Sequence, residues 1–278
     1  MQRTISKPLK ISGIGLHSGR QCMATLNPAP PDNGRVFILG DRRIKANLSS
    51  VIDSNYCTVL GEGEAQVATV EHLLAAAMGL EIDNLDIVVI GEEIPIADGS
   101  AKPWVEAILA NGIDIQDKSK RYIAPQFKCS FADGNRQIEI EPHVGLRLSI
   151  NYDIGSQITQ NQHGEWDITP ELFRHELAWA RTFGFRRDLP KLLALNRAQG
   201  ANLNNCLVFE ENGLNPNQYF RGANEPLRHK ALDLLGDLAL LDQPLSGWIK
   251  ARQPGHALTT RALETWNLKP LDSNDKLR

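Results

Sequence analysis

One histidine and two aspartates recur at intervals of four residues in the segment Arg228-His229-Lys230-Ala231-Leu232-Asp233-Leu234-Leu235-Gly236-Asp237. On a helix turning about 100° per residue, His229, Asp233 and Asp237 stack on one face with Lys230 beside them, within an arc of roughly 100°. Ala231, Leu232, Leu234, Leu235 and Leu238 fill the other side. An imidazole and a carboxylate four residues apart on a rigid helix reach one metal ion together. The same spacing suits a surface helix whose polar face merely meets water, so this segment alone leaves both readings open.

A second segment, Thr69-Val70-Glu71-His72-Leu73-Leu74, carries chemistry of the same kind. Glu71 and His72 are neighbours, so on a helix they point about 100° apart. That geometry divides labour: the ring binds a metal and the carboxylate takes a proton from water, as in helical zinc motifs whose glutamate is a base and not a ligand. A half-buried histidine beside a surface glutamate is the plainer alternative. His72, His229 and Asp233 together supply two nitrogens and one oxygen, the donor set of a catalytic zinc site with one position open. The four cysteines, Cys22, Cys57, Cys129 and Cys206, are far apart and form no Cys-x-x-Cys pair. They point to a reducing compartment and away from a structural zinc knuckle.

Three further groups complete the chemical inventory. His256, in Gln253-Pro254-Gly255-His256-Ala257, opens a helix, where the positive helix end lowers an imidazole pKa. A hydrogen bond to Asp237 would counter this and favour the imidazolium. In Arg181-Thr182-Phe183-Gly184-Phe185, the Thr182 hydroxyl can donate to an oxyanion while Phe183 or Phe185 supports a sugar face; alternatively both rings are plain core. Leu189, Leu192, Leu193 and Leu195 could line an apolar channel, though a buried helix is the default reading.

The elements that must position these groups follow from the turn signals. Strands are expected at Thr4–Ser12, Gln21–Asn27, Arg35–Leu39, Tyr56–Leu60 and Leu85–Ile90, with helices over Thr69–Met78 and from a Ser100 cap to about Ala110. The polar run Asp114–Arg121 reads as a linker. The rhythm then repeats: strands at Ile123–Phe131, Arg136–Glu141 and Leu146–Tyr152, and a polar loop around Gln157–Glu165. A helix opened by Thr169-Pro170 runs to about Ala180, and a short one spans Asp188–Arg197. Cys206–Phe209 and Leu245–Ala251 read as strands, Glu225–Leu241 and His256–Trp266 as helices. Strands followed by helices, twice over, argue for an α+β protein of two similar domains, residues 1–117 and 118–278, related by an old duplication.

The net charge of −3 gives no basic stripe for nucleic acid. No apolar run approaches a bilayer's thickness, and Met1–Lys7 runs into a strand pattern with no leader-like apolar stretch. A cytoplasmic monomer is the expectation.

Six segments occur here in one order: Gly13-Ile14-Gly15-Leu16-His17-Ser18-Gly19, Thr69-Val70-Glu71-His72-Leu73, Glu93-Ile94-Pro95-Ile96-Ala97-Asp98-Gly99-Ser100, Ala180 to Phe185, His229 to Asp237, and Gly255-His256-Ala257-Leu258. From about Arg3 to Leu263 the chain resembles the UDP-3-O-acyl-N-acetylglucosamine deacetylases, zinc amidases of lipid A biosynthesis in Gram-negative bacteria. The resemblance implies two α+β domains, each a layer of strands against helices, with the active site between them. It implies zinc on His72, His229 and Asp233 (ferrous iron suits the same donors), Glu71 as general base, and His256, oriented by Asp237, as a charged acid or oxyanion stabiliser. It also implies Thr182 on the oxyanion, Phe183 against the glucosamine and Lys230 on the polar nucleotide-sugar portion. The helix after Phe185, with Leu189, would belong to an acyl-chain passage.

Two departures touch that passage: Arg186 stands where an apolar residue is expected, and Gly200-Ala201-Asn202-Leu203-Asn204 replaces a more glycine-rich turn. With the polar tail Asp272–Arg278, the chain is expected to lack the dehydratase domain fused to some relatives. A metalloamidase for another N-acyl sugar and a catalytically silent binder of nucleotide sugar are the alternatives. The intact Glu71, His256 and ligand set argue against the second, since a binder needs no base.

Overall fold

The computed structural model describes residues 1–155 and 161–271. The tail Asp272–Arg278 and residues 157–160 of the expected polar loop lie outside the described residues.

Two five-stranded sheets dominate. The first comprises β1 (Leu9–Ile14), β2 (Gln21–Pro28), β3 (Arg35–Leu39), β4 (Arg42–Lys45) and β5 (Leu85–Ile90), in the order β1-β2-β5-β3-β4. The second comprises β6 (Cys129–Asp133), β7 (Arg136–Glu141), β8 (Leu146–Tyr152), β9 (Gln162–Asp167) and β10 (Gly247–Arg252), in the order β6-β7-β10-β8-β9. In each, the last strand in sequence inserts at the centre, antiparallel to one neighbour and parallel to the other. The same topology occurs twice, and the fold is α+β with two similar sheet-and-helix halves.

Among the described residues, five α-helices of six or more residues accompany the sheets: α1 (Glu71–Gly79), α2 (Lys102–Asn111), α3 (Leu189–Ala194), α4 (Glu225–Leu238) and α5 (His256–Thr265). α1 and α4 each lead into a central strand, and they pack against one another. α1 is buried on almost every side, as its Leu- and Ala-rich sequence requires. Gly236 permits the close crossing, because a methyl there would collide with the Glu71 carbonyl oxygen. One hydrophobic cluster runs from Ile5 through Leu73, Leu74, Leu232 and Leu235 to Trp266. No helix among the described residues is long and apolar enough to cross a membrane.

Several expected boundaries shift for identifiable reasons. Thr4–Ser12 divides into Arg3–Ile5 and β1, because Ser6-Lys7-Pro8 breaks the pairing. Arg3–Ile5 pairs with Ile113–Ile115, so part of the expected linker is a strand of the first half. Ile123–Phe131 likewise divides, and Ile123–Pro125 pairs with Leu268–Pro270. Gln162–Glu165, read as loop, belongs to the strand β9, which lies at the sheet edge with Trp166 as its only buried side chain; so little inward alternation reads as loop. Thr169 caps its helix as expected, through a 3.1 Å bond from the Leu172 N–H, but the helix is Pro170–Leu172 followed by a π-helical stretch, Phe173–Leu177. Each half also carries a three-stranded sheet. One is formed by Val51–Asp53, Val59–Glu62 and Ala65–Ala68, the other by Phe183–Phe185, Leu207–Glu210 and Gly213–Leu214.

Candidate active site

The start of α1 is set by a residue in an uncommon conformation. Thr69 has φ 58°, in the left-handed region that β-branched residues avoid, so the helix begins at Glu71 and not at Thr69. The Thr69 hydroxyl donates to Glu93 Oε1 at 2.8 Å, and the same carboxylate accepts the backbone N–H groups of His17 and Ser18, each at 2.9 Å. Buried Glu93 thereby locks the glycine-rich Gly13–Gly19 turn to the entrance of α1, placing Glu71 and His72 in the first helical turn.

His72, His229 and Asp233 converge, all three buried, with one ligand atom from each lying within 4.8 Å of the others. His229 Nδ1–H donates to the Ala180 carbonyl at 3.0 Å, which leaves Nε2 unprotonated and facing Asp233 Oδ1 at 3.2 Å. His72 Nε2 lies 3.6 Å from the same oxygen. Lys230 Nζ donates to Asp233 Oδ2 at 2.6 Å, whereas Oδ1 is buried without a hydrogen-bond partner among the described residues. A buried carboxylate oxygen left unpaired between two imidazoles is costly unless a cation meets it. The donor set therefore fits a metal ion with His, His and a monodentate carboxylate. Burial holds the His229 ring below its ordinary pKa, against the pull of Asp233. Burial resists ionisation of Asp233, but His229 and Lys230 outweigh it and keep the carboxyl well below its usual range.

A second polar cluster adjoins the first. His256 Nδ1 lies 2.9 Å from both oxygens of Asp237, so its proton is donated there and Nε2 faces Glu71 Oε1 at 3.8 Å. Burial disfavours the charged ring, yet Asp237 and then Glu71 outweigh it and raise the His256 pKa to about 10. Burial pushes the Glu71 carboxyl above its ordinary value, with His256 and His72 opposing. The pairing expected from sequence between Asp237 and His256 is thus present as a hydrogen bond, two helical turns from His229.

Both clusters open into a cavity of about 380 Å³, lined also by Thr182, Phe183, Lys230, Tyr152 and Arg136. The Phe183 ring stands edge-on to His229, with centroids 6.2 Å apart, and Lys230 Nζ lies 5.4 Å above it. A second, more apolar cavity of about 330 Å³ shares Leu16, Tyr56, Thr182 and Phe183 with the first and continues past Phe185, Leu189 and Leu192. Phe185 belongs to this second space, tilted on Phe209 at 5.6 Å, and not to the sugar-sized one. Arg186 sits on its lining with its guanidinium 3.3 Å from Glu210 Oε1.

Sequence reasoning missed several supports. Arg181 and Glu225 form a buried ion pair, Nε to Oε1 at 2.8 Å and Nη2 to Oε2 at 3.1 Å, tying the Thr182 segment to the first turn of α4. They lie 44 residues apart, so no local spacing announces them. Glu93 sits within a segment singled out by the resemblance, but its partners come from two distant turns. Arg136 and Tyr152 lie on strands β7 and β8, where alternation reports burial and not chemistry.

Comparison with known proteins bears directly on this geometry. The sequence profile of the family described as LpxC, UDP-3-O-acyl N-acetylglycosamine deacetylase, matches residues 2–266. The chain belongs to this deacetylase family. It is 39% identical over 268 residues to the UDP-3-O-acyl-N-acetylglucosamine deacetylase of Syntrophotalea carbinolica, covering 95% of this chain and 86% of that protein. The deacetylase of the same name from Bdellovibrio bacteriovorus is 40% identical over 261 residues, 92% of this chain and 86% of its own length. That from Myxococcus xanthus is 39% identical over 262 residues, 92% and 83% respectively. The family match spans both clusters and both cavities.

Proposed function

We propose that this protein removes the N-acetyl group of UDP-3-O-acyl-N-acetylglucosamine by metal-dependent hydrolysis, releasing acetate and UDP-3-O-acyl-glucosamine for lipid A biosynthesis. The observation that carries the reading is the unpaired Asp233 Oδ1 between two imidazoles, with the Glu71 carboxylate and the His256 ring on the same cavity. His72, His229 and Asp233 would hold the ion. Zinc, or ferrous iron on the same donors, supplies Lewis acidity toward the acetamide carbonyl and toward water.

The chain's own groups do the rest. Glu71, its affinity for a proton raised by burial, takes one from water as oxygen attacks the amide carbon. The His256 imidazolium and the Thr182 hydroxyl meet the developing oxyanion. The amine departs with a proton from Glu71 or His256. Phe183 supports the glucosamine ring, and Lys230, anchored to Asp233, addresses the polar nucleotide-sugar portion. Arg136 adds positive charge on the same cavity wall, suited to a phosphate. The apolar cavity past Phe185 and Leu189 takes the acyl chain.

In this reading residues 1–117 and 118–278 are two domains with the site between them, supported by the strand pairs that close each half. In the same reading the protein acts as a cytoplasmic monomer; the four cysteines are free thiols, as a reducing compartment keeps them. The test is acetate release from UDP-3-O-acyl-N-acetylglucosamine by protein reconstituted with zinc, measured across several acyl lengths. Release is expected. A protein that binds one zinc and releases no acetate from any of them overturns the substrate assignment.

A further inference from the structure

Thr58 touches both the base-bearing helix and the acid-bearing cluster. It is 1% exposed and immediately precedes the strand Val59–Glu62 of the first small sheet. Its backbone fastens it to α1: the N–H donates to Glu71 Oε2 at 3.1 Å, and the carbonyl accepts the Val70 N–H at 3.4 Å. Its side chain reaches across to the other half, where Oγ1 lies 2.8 Å from Asp237 Oδ1 and 3.4 Å from His256 Nδ1. A hydroxyl has one proton to give. The ring Nδ1–H already donates to Asp237, so the Thr58 proton goes to the nearer carboxylate oxygen.

The result is a continuous hydrogen-bonded line, from the Glu71 carboxylate through the Thr58 backbone and hydroxyl to Asp237 and then the His256 ring. Glu71 belongs to α1 in the first half, whereas Asp237 and His256 belong to α4 and α5 in the second. We infer that Thr58 is a positioning residue that sets the gap between the general base and the imidazolium across the two halves. The γ-methyl restricts χ1 and keeps the hydroxyl aimed at Asp237. This inference rests on the roles of Glu71 and His256 given above.

The experiment compares Thr58→Val and Thr58→Ser with the wild type in the full-length, zinc-loaded protein. kcat and KM are measured by acetate release, together with zinc content and the downfield ring N–H proton resonance of His256. That resonance is assigned by its loss in His256→Gln. Removing a hydrogen bond to a charged group is expected to lower kcat by about tenfold in Thr58→Val, with KM and zinc content unchanged. Thr58→Ser is expected to recover most of the rate. The His256 resonance should move in the valine variant and hold its place in the serine variant. Should Thr58→Val fail to fold, Thr58→Ala against Thr58→Ser isolates the same hydroxyl. A valine variant with wild-type kcat and an unmoved resonance overturns the inference. So does a serine variant as impaired as valine, which would assign the effect to packing. A wild type that releases no acetate overturns the functional reading instead, while the proton resonance still tests the hydroxyl's role.

Discussion

α1 and α4 occupy corresponding places in the two halves, each entering the central strand of a sheet with the same strand order. α1 has nine residues and, after Glu71 and His72 in its first turn, is Leu, Ala, Met and Gly to its end. α4 has 14 residues and buries a polar stripe, Glu225, His229, Asp233 and Asp237, along its whole length. A buried polar stripe survives only where each group finds a partner. Glu225 takes Arg181, His229 takes the Ala180 carbonyl, and Asp237 takes Thr58 and His256; only Asp233 Oδ1 is left open. The helices that follow the central strands differ similarly: α2 opens on Lys102, half-exposed, whereas α5 opens on buried His256. One topology used twice therefore carries its buried polar groups unequally, and the converging His72, His229 and Asp233 are drawn from both halves.

The largest break in that division comes from α1. Glu71→Ala should lower kcat by about 10²- to 10⁴-fold, as loss of a general base does, with zinc content by metal analysis unchanged. Next is Asp237→Asn. The wild-type imidazolium persists up to a pH of about 10, so the high-pH fall in rate belongs there. Without the carboxylate charge, the ring loses its main support. The high-pH limb of the kcat profile should move toward neutrality, with roughly tenfold lower kcat at pH 8. Gly236→Ala tests the crossing that joins the two helices. A methyl against the Glu71 carbonyl forces them apart, at a cost of about 1–3 kcal/mol, read as a lower melting temperature. The smallest effect is expected at Lys102→Ala, the counterpart of His256 in the other half. Its side chain is 51% exposed, and both stability, within about 0.5 kcal/mol, and kcat should hold.

Much of this was legible where periodicity and chemistry coincide. Arg35–Leu39, Leu85–Ile90, Arg136–Glu141 and Leu146–Tyr152 are strands at the residues their patterns indicate. The four-residue spacing of His229, Asp233 and Asp237 was visible because a helix turns local sequence into a face. What was hidden depends on distance. Thr58 meets Asp237 across 179 residues and looks like any strand threonine. The equal topology of the halves shows in the sequence only as rhythm, because the small sheets, though both fall between the fourth strand of a large sheet and the long helix, occupy stretches of unequal length, 51–68 and 183–214. The start of α1 lies two residues later than its pattern indicates, because helical propensity carries no sign that Glu93, 24 residues away, holds a left-handed Thr69.

The hydrophobic cluster that runs unbroken from Ile5 to Trp266 leaves neither half with an interior of its own. A unit of this topology folding alone would have to cover its own apolar surface. Here Leu73 and Leu74 of one half and Leu232 and Leu235 of the other are fully withdrawn from water within the same interior. Separating the halves would expose both helices along their buried lengths and would part Glu71 from His256 and His72 from Asp233. The two halves repeat one topology, yet the interior they bury is common to both.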